Sequence, residues 1–205
     1  MRDAAAVRLP RRARLVDGDL VLRGVRQEDR AARMRLGRDP DIYRLLGHDP
    51  QRDAPFTLID AAKWQHRLKR LRYSWVIEVG GRVIGATGFK ELDMSSHCAE
   101  LAIEILDPAL LGRGIGRRAI QLILRFGFGR VGLHRVGLRV IAANERAIRC
   151  YQACGFRVEG REREAVELEG DWQDDLIMGV LRAEFEAACG ATARPEAATP
   201  PAALP

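Results

Sequence analysis

The stretch Leu111-Gly112-Arg113-Gly114-Ile115-Gly116-Arg117-Arg118-Ala119 combines alternating glycines with three arginines and runs straight into an amphipathic helical pattern. Glycine has no Cβ to keep backbone N–H groups from turning inward. The helix that follows aims its unpaired N–H groups and the positive end of its dipole at the same place. Such a site suits a pyrophosphate, although a plain loop-to-helix turn has the same composition. Two familiar phosphate loops do not fit. A Walker loop needs Lys and then Ser or Thr after its glycines, and here Arg117 and Arg118 follow Gly116. Gly112, Gly114 and Gly116 also miss the G-x-G-x-x-G spacing of a dinucleotide fingerprint, which belongs after an early strand.

Just before this loop, Ala99 to Ile105 alternates, with Leu101, Ile103 and Ile105 on one face and Glu100, Ala102 and Glu104 on the other. Two carboxylates on one strand face can serve acid–base chemistry, or they can face solvent or pair with arginines. Cys150 and Cys154 lie four apart on a helical pattern with no paired His, a spacing that points to packing and gives no reason to expect an acyl-enzyme. His66, His97 and His134 have no metal-like spacing with one another or with the cysteines, so no metal site is expected.

These residues need a scaffold, and 205 residues suffice for one domain with a sizeable core. Residues 1–18 hold Arg8, Pro10, Arg11, Arg12 and Arg14 and predict a basic arm; the Ala/Pro/Thr-rich residues 187–205 predict a disordered tail. Between them, 19–186 reads as one compact unit. It opens with a strand at Leu20–Val25 and a helix at Glu28–Leu36 stopped by Gly37 and Pro40. Ala61, Trp64, Leu68 and Leu71 then recur at helical spacing, with Asp60 as N-cap. Ser74–Val79 and Arg82–Phe89 form a hairpin through Gly80-Gly81. Beyond the alternating strand and the glycine loop comes a helix with the stripe Ile115, Ala119, Leu122, Ile123 and Phe126. A strand at Arg135–Ile141 leads to a short helix, capped by Asn144 and closed by Gly155, and then to late strands at 163–168 and 176–181. The order predicts an α/β (α+β) domain: a mixed central sheet of about seven strands with helices on both faces.

Composition narrows the setting. Hydrophobic residues make up 47% and charged residues 30%, the profile of a soluble globular chain. No apolar run approaches the roughly 18–20 residues of a membrane span, and Met1–Arg14 lacks the apolar core of a secretory signal. The four cysteines form no C-x-x-C pair, so a reducing cytoplasm is expected. The net charge of +6 fits acidic partners such as phosphates or RNA without selecting one.

From Arg82 to about Leu181 the sequence resembles the GCN5-related N-acetyltransferase (GNAT) superfamily, in particular its ribosomal-protein and polyamine acetyltransferase branch. The family's acetyl-CoA loop, Gln/Arg-x-x-Gly-x-Gly/Ala, falls on Leu111-x-x-Gly114-x-Gly116. Its second signature, Asn-x-x-Ala-x-x-x-Tyr-x-x-x-Gly-Phe, is matched by Asn144, Ala147, Tyr151, Gly155 and Phe156. The run Gly170 to Met178 also resembles that branch. Leu111 departs from the usual Gln or Arg, with Arg113, Arg117 and Arg118 as neighbours that could compensate.

The resemblance implies roles. The backbone of Glu104, Ile105 and Leu106 would bind the pantetheine arm of acetyl-CoA like an added strand. The amides of Gly112, Arg113, Gly114, Ile115, Gly116 and Arg117 would cradle the pyrophosphate. Asn144 would offer its amide to the pantetheine, beside its simpler role as N-cap. Tyr151 would protonate the leaving thiolate, and Glu100 would be the base, with Glu104 as second choice. His48, Asp49, Asp171, Trp172, Asp174 and Asp175 would form an acidic mouth for a cationic amine. The implied activity is transfer of acetyl from acetyl-CoA to a primary amine by direct attack, the amine being a protein N-terminus, a polyamine, or a small amine or antibiotic. The alternative is a non-catalytic CoA-binding or RNA-associated module, which Leu111 and the basic arm favour and Tyr151 and Asn144 oppose. The expected partners are acetyl-CoA and the amine, with no membrane and no nucleic acid. A homodimer is common among look-alikes, but nothing in the sequence fixes an interface.

Overall fold

Strand alternation and helix stripes assemble here into a single mixed sheet with helices on both faces. In the computed structural model, which describes residues 13–48 and 56–192, the strands are β1 (Leu15–Asp17), β2 (Leu20–Arg23), β3 (Tyr73–Val79), β4 (Arg82–Asp93), β5 (Cys98–Ile105), β6 (Arg135–Ile141), β7 (Arg157–Leu168) and β8 (Asp171–Leu181). They lie in the order β1-β2-β3-β4-β5-β6-β8-β7. All neighbours are antiparallel except β5 and β6. That parallel pair is registered only from Cys98↔Arg135 to Glu100↔Gly137. Past Glu100 the two strands part.

The helices are α1 (Asp29–Leu36), α2 (Pro40–Leu45), α3 (Leu58–Arg70), α4 (Ile115–Phe126), α5 (Glu145–Gln152) and α6 (Arg182–Thr192). On one face Trp64 and Leu68 of α3 pack with Val25, Val76 and Ala86. On the other, α4 covers the main core of Leu22, Trp75, Ile77, Phe89, Leu101 and Val136. Its buried surface is wider than the expected stripe: Ile120 and Leu124 are fully buried, while Leu122 is half-buried. Among the described residues no helix is long and apolar enough to cross a membrane.

Local chemistry fixes the ends. Thr57, not Asp60, caps α3: Thr57 Oγ1 accepts from Asp60 N at 3.2 Å while Thr57 N donates to Asp60 Oδ2 at 2.9 Å, a reciprocal capping box. α1 is tied to the sheet by Arg23, whose guanidinium donates through both Nη atoms to Asp29 at 2.9 Å and through Nε to Glu78 at 2.7 Å. Arg23 and Asp29 are both buried, so neither charge is tolerable without the other.

Among the described residues the sheet has eight strands, against the expected seven or so. The hairpin of β1 and β2 carries it into the stretch expected as an arm, with residues 1–12 outside the described part. α6 continues through Thr192, into the stretch expected as a tail. β7 begins six residues before the expected Arg163, and it is mostly exposed, with only Leu168 buried. Such an edge strand carries no hydrophobic alternation to read. A π-helical turn, Gly127–Val131, follows α4 without a sequence signal.

Gly85 of β4 lets β5 approach: a Cβ there would stand 1.9 Å from the Glu104 carbonyl oxygen. Gly85→Ala therefore forces the strands apart, at a cost of about 3 kcal/mol. For a chain of this size the melting temperature should fall by about 6–12 °C, read by circular dichroism. A wild-type melting temperature would show that the sheet yields freely there.

Candidate active site

The gap between β5 and β6 holds two cavities. The first, about 370 Å³, runs from the glycine loop to the start of α5. Its walls include Glu104 and Ile105, Leu111, Gly112, Gly114, Ile115, Gly116 and Arg117, then Asn144, Cys150 and Tyr151. Gly112 and Gly114 have φ of +73° and +76°, and a Cβ on either would meet nothing within 4 Å. The space in front of the loop is open. Gly114 caps α4 with no side-chain bond, and the helix's backbone bonding begins with Arg118 N to Gly114 O at 3.1 Å. The amides of Ile115, Gly116 and Arg117 therefore have no helical carbonyl to bind. An anion fits that end of α4.

The arginines divide. Arg117 lines the cavity. Arg118 is committed elsewhere, its Nε donating to Asp17 Oδ2 at 2.7 Å and its Nη2 to Asp19 Oδ1 at 3.0 Å, so it cannot stand in for the missing Gln or Arg at position 111. Arg113 lies outside the lining. So does Leu106, which is buried and donates its N–H to Ile84 O at 2.7 Å.

The second cavity, about 490 Å³, lies on the α3 side of the gap. Lys90 of β4, Arg139 of β6 and Asp175 of β8 line it, together with His48 and Arg67. The two cavities share Leu45, Leu46, Ile103, Glu104, Asn144 and Tyr151.

Each shared polar residue is held. Glu104 Oε1 accepts from Trp64 Nε1 at 2.5 Å and from Arg67 Nη2 at 3.0 Å. Asn144 is buried; its Oδ1 accepts from Ala147 N at 3.1 Å and its Nδ2 donates to Leu45 O at 3.2 Å. It thus caps α5 and pins the end of α2 together. Tyr151 stacks edge-on against Phe156, with centroids 5.9 Å apart. Burial, reinforced by the Cys150 and Cys154 thiols, pushes its phenol above the ordinary tyrosine value. Cys154 stays a thiol, raised by its bond to Cys150 and by burial, and donates to Arg117 O at 3.7 Å.

Other expected site residues fall elsewhere. Glu100 lines neither cavity; it lies opposite Lys90 across the β4–β5 pair, with Lys90 Nζ 2.5 Å from its Oε1, an ion pair rather than an aligned hydrogen bond. Asp171 and Trp172 are exposed at the β7–β8 turn, away from both cavities. Asp174 is structural, accepting from Glu164 N and pairing with Arg161, both at 2.8 Å. Asp49 lies outside the described residues. Trp64, Arg67, Lys90 and Arg139 reach the site only through helix packing and strand register, and no sequence motif marks them.

Residues 19–157 match the family described as the acetyltransferase (GNAT) domain. The chain belongs to the GNAT acetyltransferase family. Among its relatives, the spermidine N(1)-acetyltransferase of Escherichia coli K12 is 29% identical over 54% of this chain and 59% of that enzyme, so the chain spans about three fifths of the relative's length. The N-alpha-acetyltransferase RimI of Mycobacterium tuberculosis is 34% identical over 62% of this chain and 73% of its own. A crystal structure of the Vibrio cholerae spermidine N-acetyltransferase with CoA and spermine superimposes with a TM-score of 0.71 at 24% identity, over 83% of this chain and 99% of that one. That likeness shows a shared fold.

Asn144→Ala removes an N-cap and leaves the Leu45 carbonyl unpaired. The expected loss is about 2 kcal/mol, a fall of about 4–8 °C in melting temperature. An unchanged melting curve would remove the anchoring role of Asn144.

Proposed function

We propose that this chain is an acetyl-CoA-dependent N-acetyltransferase that acetylates a primary amine by direct attack. The observation that carries the reading is the meeting of two cavities at Glu104, Asn144 and Tyr151. One cavity has the anion-binding helix end; the other carries carboxylates. Bound acetyl-CoA supplies an acetyl thioester. The amides from Gly112 to Arg117 hold its pyrophosphate, and the free edge of β5 at Ile105 holds its pantetheine arm; the Glu104 carbonyl is turned the other way, to Gly85 of β4. Asn144 keeps one amide hydrogen beyond the one given to Leu45, available to the same arm.

Tyr151 holds a proton where the cavities join, available to a departing thiolate. Its raised value sets the sign of the pH effect. The phenol is protonated below that value and loses its proton only as pH rises through it, so Tyr151 imposes no fall in rate below about pH 10. Glu100 acts on the site through Lys90, which it holds at the second cavity. The acceptor is a protein N-terminus, a polyamine or another small amine; the named relatives are a spermidine N(1)-acetyltransferase and an N-alpha-acetyltransferase. The free thiols of Cys98, Cys150 and Cys154 suit a reducing cytoplasm.

Release of CoA thiol over a panel of polyamines, free-N-terminus peptides and small amines tests the proposal. Turnover on at least one class is expected, and Tyr151→Phe should lower kcat by about 10²–10⁴-fold with little change in KM. Calorimetric binding of acetyl-CoA with no turnover on any amine would favour the non-catalytic reading instead.

A further inference from the structure

Asp175 lies opposite Ile141 of β6 and Glu162 of β7, at the end where β6 has left β5. It lines the second cavity, and its Oδ1 is buried with no hydrogen-bond partner among the described residues. A buried carboxylate oxygen without a donor is costly, and such groups are rarely left so. The charged neighbours do not supply one. Arg139 of β6 pairs with Glu162 of β7 at 2.9 Å, and Lys90 of β4 pairs with Glu100 at 2.5 Å. Across the cavity, Arg67 is bonded to Glu104, and His48 and Tyr151 complete the titratable lining.

Three carboxylates lie near the acceptor side, and two are engaged. Glu104 already accepts from Trp64 and Arg67, and Glu100 stands outside both cavities. Asp175 alone of the three both lines the cavity and presents an unsatisfied buried oxygen. Burial holds its carboxyl above the ordinary aspartate value, with Glu162 adding to the rise and Arg139 and Lys90 opposing it. A carboxyl raised in this way is better matched to taking a proton near neutral pH.

We propose that Asp175 is the general base, receiving the acceptor's ammonium at its cavity-lining carboxyl and removing one of its protons. The proposal rests on the acetyl-transfer reading above. One N–H bond of the ammonium breaks, its electron pair stays on nitrogen, and an O–H bond forms on Asp175. The amine is left neutral and nucleophilic, and the carboxylic acid returns its proton to water. The neighbouring Asp174, bound to Arg161 and to the Glu164 amide, has no such freedom.

The test is Asp175→Asn, assayed with whichever amine the wild type acetylates. Expected are a loss of about 10²–10³-fold in kcat/KM and a rate that simply follows the free-amine fraction as pH rises. Acetyl-CoA affinity by calorimetry should be unchanged, and Asp175→Glu should recover part of the rate. A wild-type pH profile in Asp175→Asn, or a rise in KM alone, would overturn the proposal. Carboxyl ¹³C titration of the protein without acceptor gives a readout independent of turnover. A signal absent from Asp175→Asn that titrates above about 3.9 supports the assignment, and one at or below that value sinks it. If the wild type acetylates no amine, the transfer reading fails and this one with it; if the wild type turns over and Asp175→Asn is unimpaired, only this proposal fails.

Discussion

Parallel pairing between β5 and β6 stops after three rungs, from Cys98↔Arg135 to Glu100↔Gly137, and both cavities lie beyond that stop. Both strands stay paired on their outer sides, β5 with one irregularity opposite Lys90–Asp93. β5 is registered against β4 as far as Gly85↔Ile105, and β6 against β8 as far as Ile141↔Asp175. The sheet therefore remains one body while its centre opens. Along the opening, β5 presents backbone groups with no strand to bind, and buried backbone groups require a partner. A substrate that lies along this edge as an extra strand meets that requirement. The glycine loop leaves the same end of β5, so the glycine turn and the free strand edge line one cavity.

Charge is distributed around this opening in pairs. Arg67 with Glu104, Lys90 with Glu100 and Arg139 with Glu162 each join two elements that contribute to the second cavity. Pairs this exposed contribute little to stability, typically up to ~1 kcal/mol. Their effect is positional: they hold flexible side chains in fixed directions around the acceptor cavity. The buried Arg23–Asp29 pair is of another kind. Losing either partner would strand a charge in the interior, so that pair holds α1 to the sheet. Arg67, Lys90 and Arg139 are thus each paired with a carboxylate other than Asp175.

Much of this was legible in the chain, and the failures have physical causes. The alternation of Leu101, Ile103 and Ile105, the hairpin at Gly80-Gly81 and the signature from Asn144 to Phe156 all reflect residues that meet the core or a turn, and such residues leave periodic marks. The glycine loop and Asn144 stand where their types imply, lining the first cavity. What had no mark was the first half of the edge strand β7, residues 157–162, where Arg157, Glu159 and Arg161 are exposed. Pairings across the sheet were equally silent. Lys90 opposite Glu100 is a matter of register, and a strand's register against its neighbour is not written in either strand alone. Glu100 is the instructive case: its position along the strand matched a family role, but its side chain meets Lys90 rather than a cavity.

Leu111 shows how far the loop depends on backbone rather than side chains. Of the arginines that could replace the usual polar residue there, Arg118 is anchored to Asp17 and Asp19, and Arg113 does not line the cavity, leaving Arg117. Yet the features that favour an anion survive untouched. Gly112 and Gly114 keep left-handed conformations that an L side chain would strain, and the uncapped start of α4 keeps its N–H groups free. An anion held by amides and a helix dipole needs no particular neighbouring side chain. Position 111 is therefore free to vary in a way that Gly112 and Gly114 are not, and the apolar Leu111 is compatible with a working loop. The constraint lies in φ, and the glycines carry it.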